Sequence, residues 1–109
     1  MATALADREL RQQAKAIVAG DPALARELRI GRPDLPRQFN DGGLIDVNHV
    51  PNQVLVERLG LSPAEAARVV DARERLGGFS SAAELYAFAE VPDATLDPVR
   101  DRLLFLAAD

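Results

Sequence analysis

Apolar side chains recur at helical spacing from the start of the chain. Leu5, Leu10, Ala14, Ile17 and Val18 fall mostly on one face over residues 3–19, and Gly20 stands where a C-terminal cap belongs. Asp21-Pro22 then restarts a helix, with Asp21 as N-cap and Pro22 at the first helical position. Leu24 and Leu28 give it an apolar stripe and Gly31 is expected to end it; so short a helix needs tertiary support. From Gly31 to Gly43 the periodicity stops. This stretch, "GRPDLPRQFNDGG", reads as an ordered connector pinned by Leu35 and Phe39, with a turn over Asn40–Gly43. Leu44–Val47 is expected to be extended.

The second half repeats itself with a period of 30 residues: Leu55 matches Leu85, Leu61 matches Val91, Ala64 matches Ala94, Val69 matches Val99, and Asp71 matches Asp101. These are mostly positions that a packed helix would bury, as expected when one helix–break–helix unit is laid down twice. The first unit runs Pro51–Leu59, a break at Gly60-Leu61-Ser62, then Pro63–Leu76. Asn48 is placed to cap its first helix, Ser62-Pro63 starts the second, and Gly77-Gly78 closes it. In the second unit Ser81 and Glu84 have capping-box spacing, the helix runs through Phe88, and the break falls at Glu90-Val91-Pro92. The last helix starts either at Asp93, distorted early by Pro98, or at Pro98 capped by Asp97. The later start is favoured, with an apolar helix through Leu106. The expected core is Leu55, Leu59, Leu61, Ala66, Val69, Val70, Phe79, Leu85, Phe88, Val91, Val99, Leu103 and Phe105.

Composition narrows the function. With 109 residues, 48% of them hydrophobic and 28% charged, the chain suits a folded domain and is too apolar for disorder. No cysteine means no disulfide, thiolate metal site or thiol nucleophile. No apolar run reaches a membrane span and no basic-then-apolar signal opens the chain, so a soluble, cytoplasmic domain is expected. The net charge of −4 is uneven: residues 1–45 carry +1 and residues 46–109 carry −5. The repeat-bearing half is therefore the acidic half, which counts against gripping a polyanion.

Two such units in tandem resemble the double helix-hairpin-helix domain, most closely the small module of the bacterial competence DNA-receptor family. The likeness rests on Asp46-Val47-Asn48, "LGLSPAEAARVVDARERLGGFSSAAELYAF" and "LDPVRDRLLFL", roughly the last 60 residues. The lead-in "DPALARELRIGRPDLPRQFNDGG" looks like the segment that precedes such modules in some actinobacterial, often membrane-tethered, proteins. The resemblance implies an all-α fold: an N-terminal two-helix extension and connector (1–45) and a tandem helix-hairpin-helix domain (46–109). It also implies where DNA would bind. Family members that bind DNA use Gly-apolar-Gly hairpins, whose backbone N–H groups meet a phosphate at a helix N-terminus. Here the first hairpin keeps Gly60, has Leu61 in the middle and Ser62 at the second glycine position, with Arg58 and Arg68 as the nearest bases. The second has Glu90 and Pro92 in place of both glycines; a carboxylate stands where phosphate would sit, and one N–H is gone.

Other candidates carry milder readings. His49, the single histidine, lacks the three or four ligands of a metal site and reads as a surface residue at a helix start. Ser80-Ser81 after Gly77-Gly78-Phe79 fit no phosphate loop and are explained by capping. Asp41 and Asp46 could be imagined as paired catalytic carboxylates, but turn-ordering is the simpler role. Arg73-Glu74-Arg75 and Arg100-Asp101-Arg102 have the mixed signs of ion-paired helix faces. Arg26, Arg29, Arg32 and Arg37, interleaved with Leu35 and Phe39, could form a partner surface. The preferred alternative is that these arginines pair with the acidic second half.

The sequence thus leads to a non-enzymatic interaction module that needs no cofactor or metal. Its hairpins have lost much of their phosphate chemistry, and its partner is a protein or another domain of a larger polypeptide. The alternative is weak, sequence-independent DNA binding through Gly60.

Overall fold

A computed structural model gives the architecture and describes residues 2–107, with side chains from Ala6 onward; Leu5 of the expected apolar face lies outside the described side chains. Helix α1 spans Ala2–Gly20 and α2 spans Pro22–Glu27. Asp21 caps α2 as expected, its carboxylate accepting the Leu24 N–H at 3.1 Å, with Pro22 opening the first turn. The helix stops at Glu27, short of Gly31. The Ile30 N–H returns to the Ala25 carbonyl (3.1 Å), and Arg29 takes the left-handed backbone (φ 57°) that this closure requires.

The connector leads into β1 (Ile45–Asp46), then α3 (Asn52–Leu59), α4 (Pro63–Leu76), α5 (Ala82–Ala89), α6 (Asp93–Leu96), a 3₁₀ helix over Asp97–Arg102, and β2 (Leu103–Leu104). The fold is all-α but for one parallel pairing that sets Ile45 beside Leu103 and Asp46 beside Leu104. Four expectations change. The last helix starts at Asp93, not Pro98. Pro98 has no N–H for α-helical bonding to Ala94, and from Asp97 the chain tightens to 3₁₀ geometry. The apolar segment after Arg102 is extended rather than helical, because Leu103 and Leu104 pair with β1. Asn48 does not cap α3, whose N-cap is Pro51. Its amide group instead accepts the Phe79 N–H at 2.7 Å and donates to the carbonyls of Phe79 and Leu106, both at 2.9 Å. Ser81 makes no side-chain cap; of that expected box, only Glu84 turns back, onto the Ser80 N–H.

Two apolar clusters form the interior. The larger joins the hairpin units through Leu55, Leu59, Leu61, Ala66, Val69, Phe79, Leu85, Val91 and Leu103, all on the expected list, with Val70, Val99 and Phe105 packed at its edge. Phe88 is a correction: it is 50% exposed, because α5 buries the Leu85–Ala89 side and leaves Phe88 on its flank. The smaller cluster joins Ala14, Ala25, Ile30, Leu44 and Leu104, with Phe39 packed on it. The two strands lie where the clusters meet, contributing Ile45 and Leu103 to one and Leu104 to the other.

Candidate functional site

The first hairpin has the backbone its sequence announces. Gly60 is left-handed (φ 75°) and exposed. Its N–H bonds the Val56 carbonyl at 3.2 Å and the Leu61 N–H bonds the Leu55 carbonyl at 3.3 Å, closing α3 while Leu61 is buried in the core. Ser62 opens α4 through a reciprocal capping box. Its hydroxyl accepts the Glu65 N–H (3.1 Å), and the Glu65 carboxylate accepts the Ser62 N–H (2.8 Å). Pro63 has no N–H to offer. The N–H groups of Gly60, Leu61, Ser62 and Glu65 are therefore bonded within the protein, and the Glu65 carboxylate sits at the N-terminal end of α4, where an anion would otherwise be favoured. The Ser62–Glu65 spacing carries that signal in the sequence.

The second hairpin repeats the geometry with different residues. Glu90 takes the left-handed conformation (φ 55°) that Gly60 takes in the first unit. Its N–H bonds the Tyr86 carbonyl and that of Val91 bonds the Leu85 carbonyl, both at 3.2 Å. Pro92 then caps α6 by position, without a side-chain bond. Beside this corner α5 exposes Tyr86 (59%) and Phe88 (50%).

The two bases nearest the first hairpin part ways. Arg68 reaches the second unit, its Nε and Nη2 donating to the carbonyls of Ala89 (2.9 Å) and Glu90 (3.2 Å). Arg102 does the reverse, donating to the carbonyls of Arg58 (2.9 Å) and Gly43 (2.8 Å). Arg68 thus satisfies two carbonyls at the C-terminal end of α5, and Arg102 one at that of α3 and one in the connector; at both helix ends a positive charge also complements the dipole. Arg58 keeps an exposed side chain that makes no ion pair among the described residues. Arg73 donates to the carbonyls of Val47 and Val50, and burial lowers its pKa.

Arg32 and Arg37 pair with carboxylates of the connector rather than with the acidic half. Arg32 forms a two-point bridge with Asp34 (3.0 and 2.8 Å), which holds the Asp34 carboxyl below its ordinary range. Arg37 grips Asp41 and donates to the Arg29 carbonyl, Arg29 donates to the Pro36 carbonyl, and Arg26 is engaged as well. Arg11 and Lys15 do reach the second half. Both bind Asp101 (2.9 and 3.1 Å) and lower its pKa.

Asp41 and Asp46 are both buried and serve separate turns. Asp41 accepts the N–H groups of Gly31, Gly43 and Leu44 at 2.7–3.3 Å. Asp46 accepts those of Asn48 and Leu106, and its second oxygen meets His49 Nδ1 at 2.6 Å. Burial raises the Asp46 pKa, and the His49 contact opposes the rise. His49 is therefore half-buried against a carboxylate rather than standing free at a helix start.

A family model of the helix-hairpin-helix motif matches residues 41–104. More than half of the chain lies inside that match, and the chain belongs to the helix-hairpin-helix family. No curated protein and no solved structure matches it significantly. Among the described residues no helix is long and apolar enough to cross a membrane.

Proposed function

We propose that this chain is a non-enzymatic, cytoplasmic interaction module, a helix-hairpin-helix scaffold that binds a protein or a neighbouring domain of a larger polypeptide. It would be akin to the small module of the competence DNA-receptor family, with a lead-in of actinobacterial type. The observation that carries the reading is the use of the hairpin chemistry inside the fold: Glu65 sits on the Ser62 amide, and Arg68 is committed to the carbonyls of Ala89 and Glu90. The exposed Tyr86 and Phe88 beside that corner supply apolar aromatic surface of the kind that anchors protein interfaces. A photo-crosslinking amino acid at position 88, in the full-length parent in its own cells, tests this. A discrete protein adduct that vanishes when the crosslinker is moved to exposed Ala23 is expected; adducts to nucleic acid alone would overturn the reading.

One observation favours a second reading, weak DNA binding. Gly60 is exposed with open space around it, and Arg58 stands beside it without an ion pair among the described residues. That reading predicts steep salt dependence and loss of binding on Gly60→Asp.

A further inference from the structure

A cavity of about 310 Å³ opens between the N-terminal helices and the start of the hairpin domain, away from both hairpins. Its apolar lining comes from Val18, Ala25, Leu35, Phe105 and Leu106. The polar groups at its wall are Arg29, Arg32, His49 and Asp46, with the engaged Arg26 alongside. Size and lining match a small-molecule site: mostly apolar, with a few convergent polar groups.

The charges at this wall are not equally satisfied. Asp46 is answered by His49 and two backbone N–H groups, and Arg32 by Asp34. Arg29 donates only to a neutral acceptor, the Pro36 carbonyl, and meets no carboxylate among the described residues. Arg29 ends α2 in the left-handed conformation, where glycine is the unstrained choice. An exposed guanidinium with no carboxylate partner, at the rim of an apolar cavity, is placed to meet an anionic group whose apolar body enters it.

We infer that this cavity binds a small organic carboxylate, its apolar body seated among Leu35, Phe105 and Leu106 and its anionic head on the Arg29 guanidinium. Guanidinium and carboxylate match in two-point geometry. The site owes nothing to the hairpins and stands or falls apart from the interaction reading.

His49 is the single histidine, so its ring protons report on this wall alone in an NMR titration. With octanoate, octanol and acetate as probes, octanoate is expected to give saturable shifts at His49 and Phe105. The alcohol, which lacks the charge, and acetate, which lacks the body, should bind roughly tenfold or more weakly. Arg29→Gly is expected to weaken octanoate by a similar factor, leave octanol unchanged, and melt at the same or a higher temperature because the backbone strain is relieved. Arg29→Lys, which keeps the charge, should retain part of the preference. The inference is overturned if no probe shifts His49 saturably at millimolar concentrations, if octanol binds as well as octanoate, or if a folded Arg29→Gly binds octanoate like the parent.

Discussion

Position 90 shows how one residue divides fold from function. The backbone there needs the left-handed conformation, which Gly60 supplies in the first unit and Glu90 adopts under strain in the second. Glu90→Gly should therefore stabilise the protein by about 0.5–1 kcal/mol in urea unfolding, since the Arg68 bonds run to backbone carbonyls that the substitution leaves in place. Ionisable residues add a pH dependence whose sign differs from site to site. The pKa of Asp34 is lowered, so its ion pair stabilises above the ordinary aspartate pKa of about 3.9, and that stability is lost as pH falls through the folded-state value. Asp34→Asn should melt below the parent at neutral pH, and thermal melts taken into acid should show the gap closing. Asp46 works the other way. Its raised pKa favours folding on the acid side, and that contribution fades as pH rises through the raised value. Ser62 and Glu90 were legible in the sequence because their roles are local, and the Glu65 cap was missed although its three-residue spacing from Ser62 announces it. Asn48 was not legible: its partners Phe79 and Leu106 lie 31 and 58 residues away.

Among the elements, the reciprocal arginines matter most. Arg68 from α4 and Arg102 from the 3₁₀ helix each reach the other unit, so the repeats are cross-bonded as well as packed. Arg68→Met keeps much of the stem packing and removes charged hydrogen bonds, and should cost about 1.5–3 kcal/mol in denaturant unfolding. An arginine kept only for phosphate contact would cost little. The two sides of α5 should separate equally clearly. Leu85→Ala, in the core, should cost about 2–5 kcal/mol, whereas half-exposed Phe88→Ala should change stability by only about 0.5 kcal/mol. The 30-residue repeat made the first three hairpin helices and most of the core readable, but not the last helix, which starts at Asp93 and gives way to 3₁₀ geometry at Asp97. It misled at Phe88, because a short helix with apolar residues on several faces does not say which face is covered. It also gave no sign of the β1–β2 pairing, which joins segments nearly 60 residues apart with two residues each.

Over the whole molecule, α1 is joined to the connector by close backbone approach and to the hairpin domain by the charge pairs of Arg11 and Lys15 with Asp101. Gly42 has φ 74°, and a Cβ there would stand 2.4 Å from the Asp7 carbonyl oxygen and 2.9 Å from the Arg11 nitrogen. Gly42→Ala should therefore lower stability by roughly 1–3 kcal/mol, read from the unfolding midpoint. The connector arginines show why the partner surface was only partly legible beforehand. Their number was plain, but their use on Asp34, Asp41 and the Pro36 carbonyl depends on how the connector folds back on itself. What remains of the charge pattern is an acidic hairpin domain whose amides and Arg68 are already bonded. Fluorescence anisotropy of labelled duplex DNA at low salt puts that account to its most direct test. It predicts a flat trace at tens of micromolar protein, where non-specific DNA binders with Kd of about 10⁻⁴–10⁻⁶ M would respond. Saturable binding that weakens steeply with salt and disappears in Gly60→Asp would contradict it.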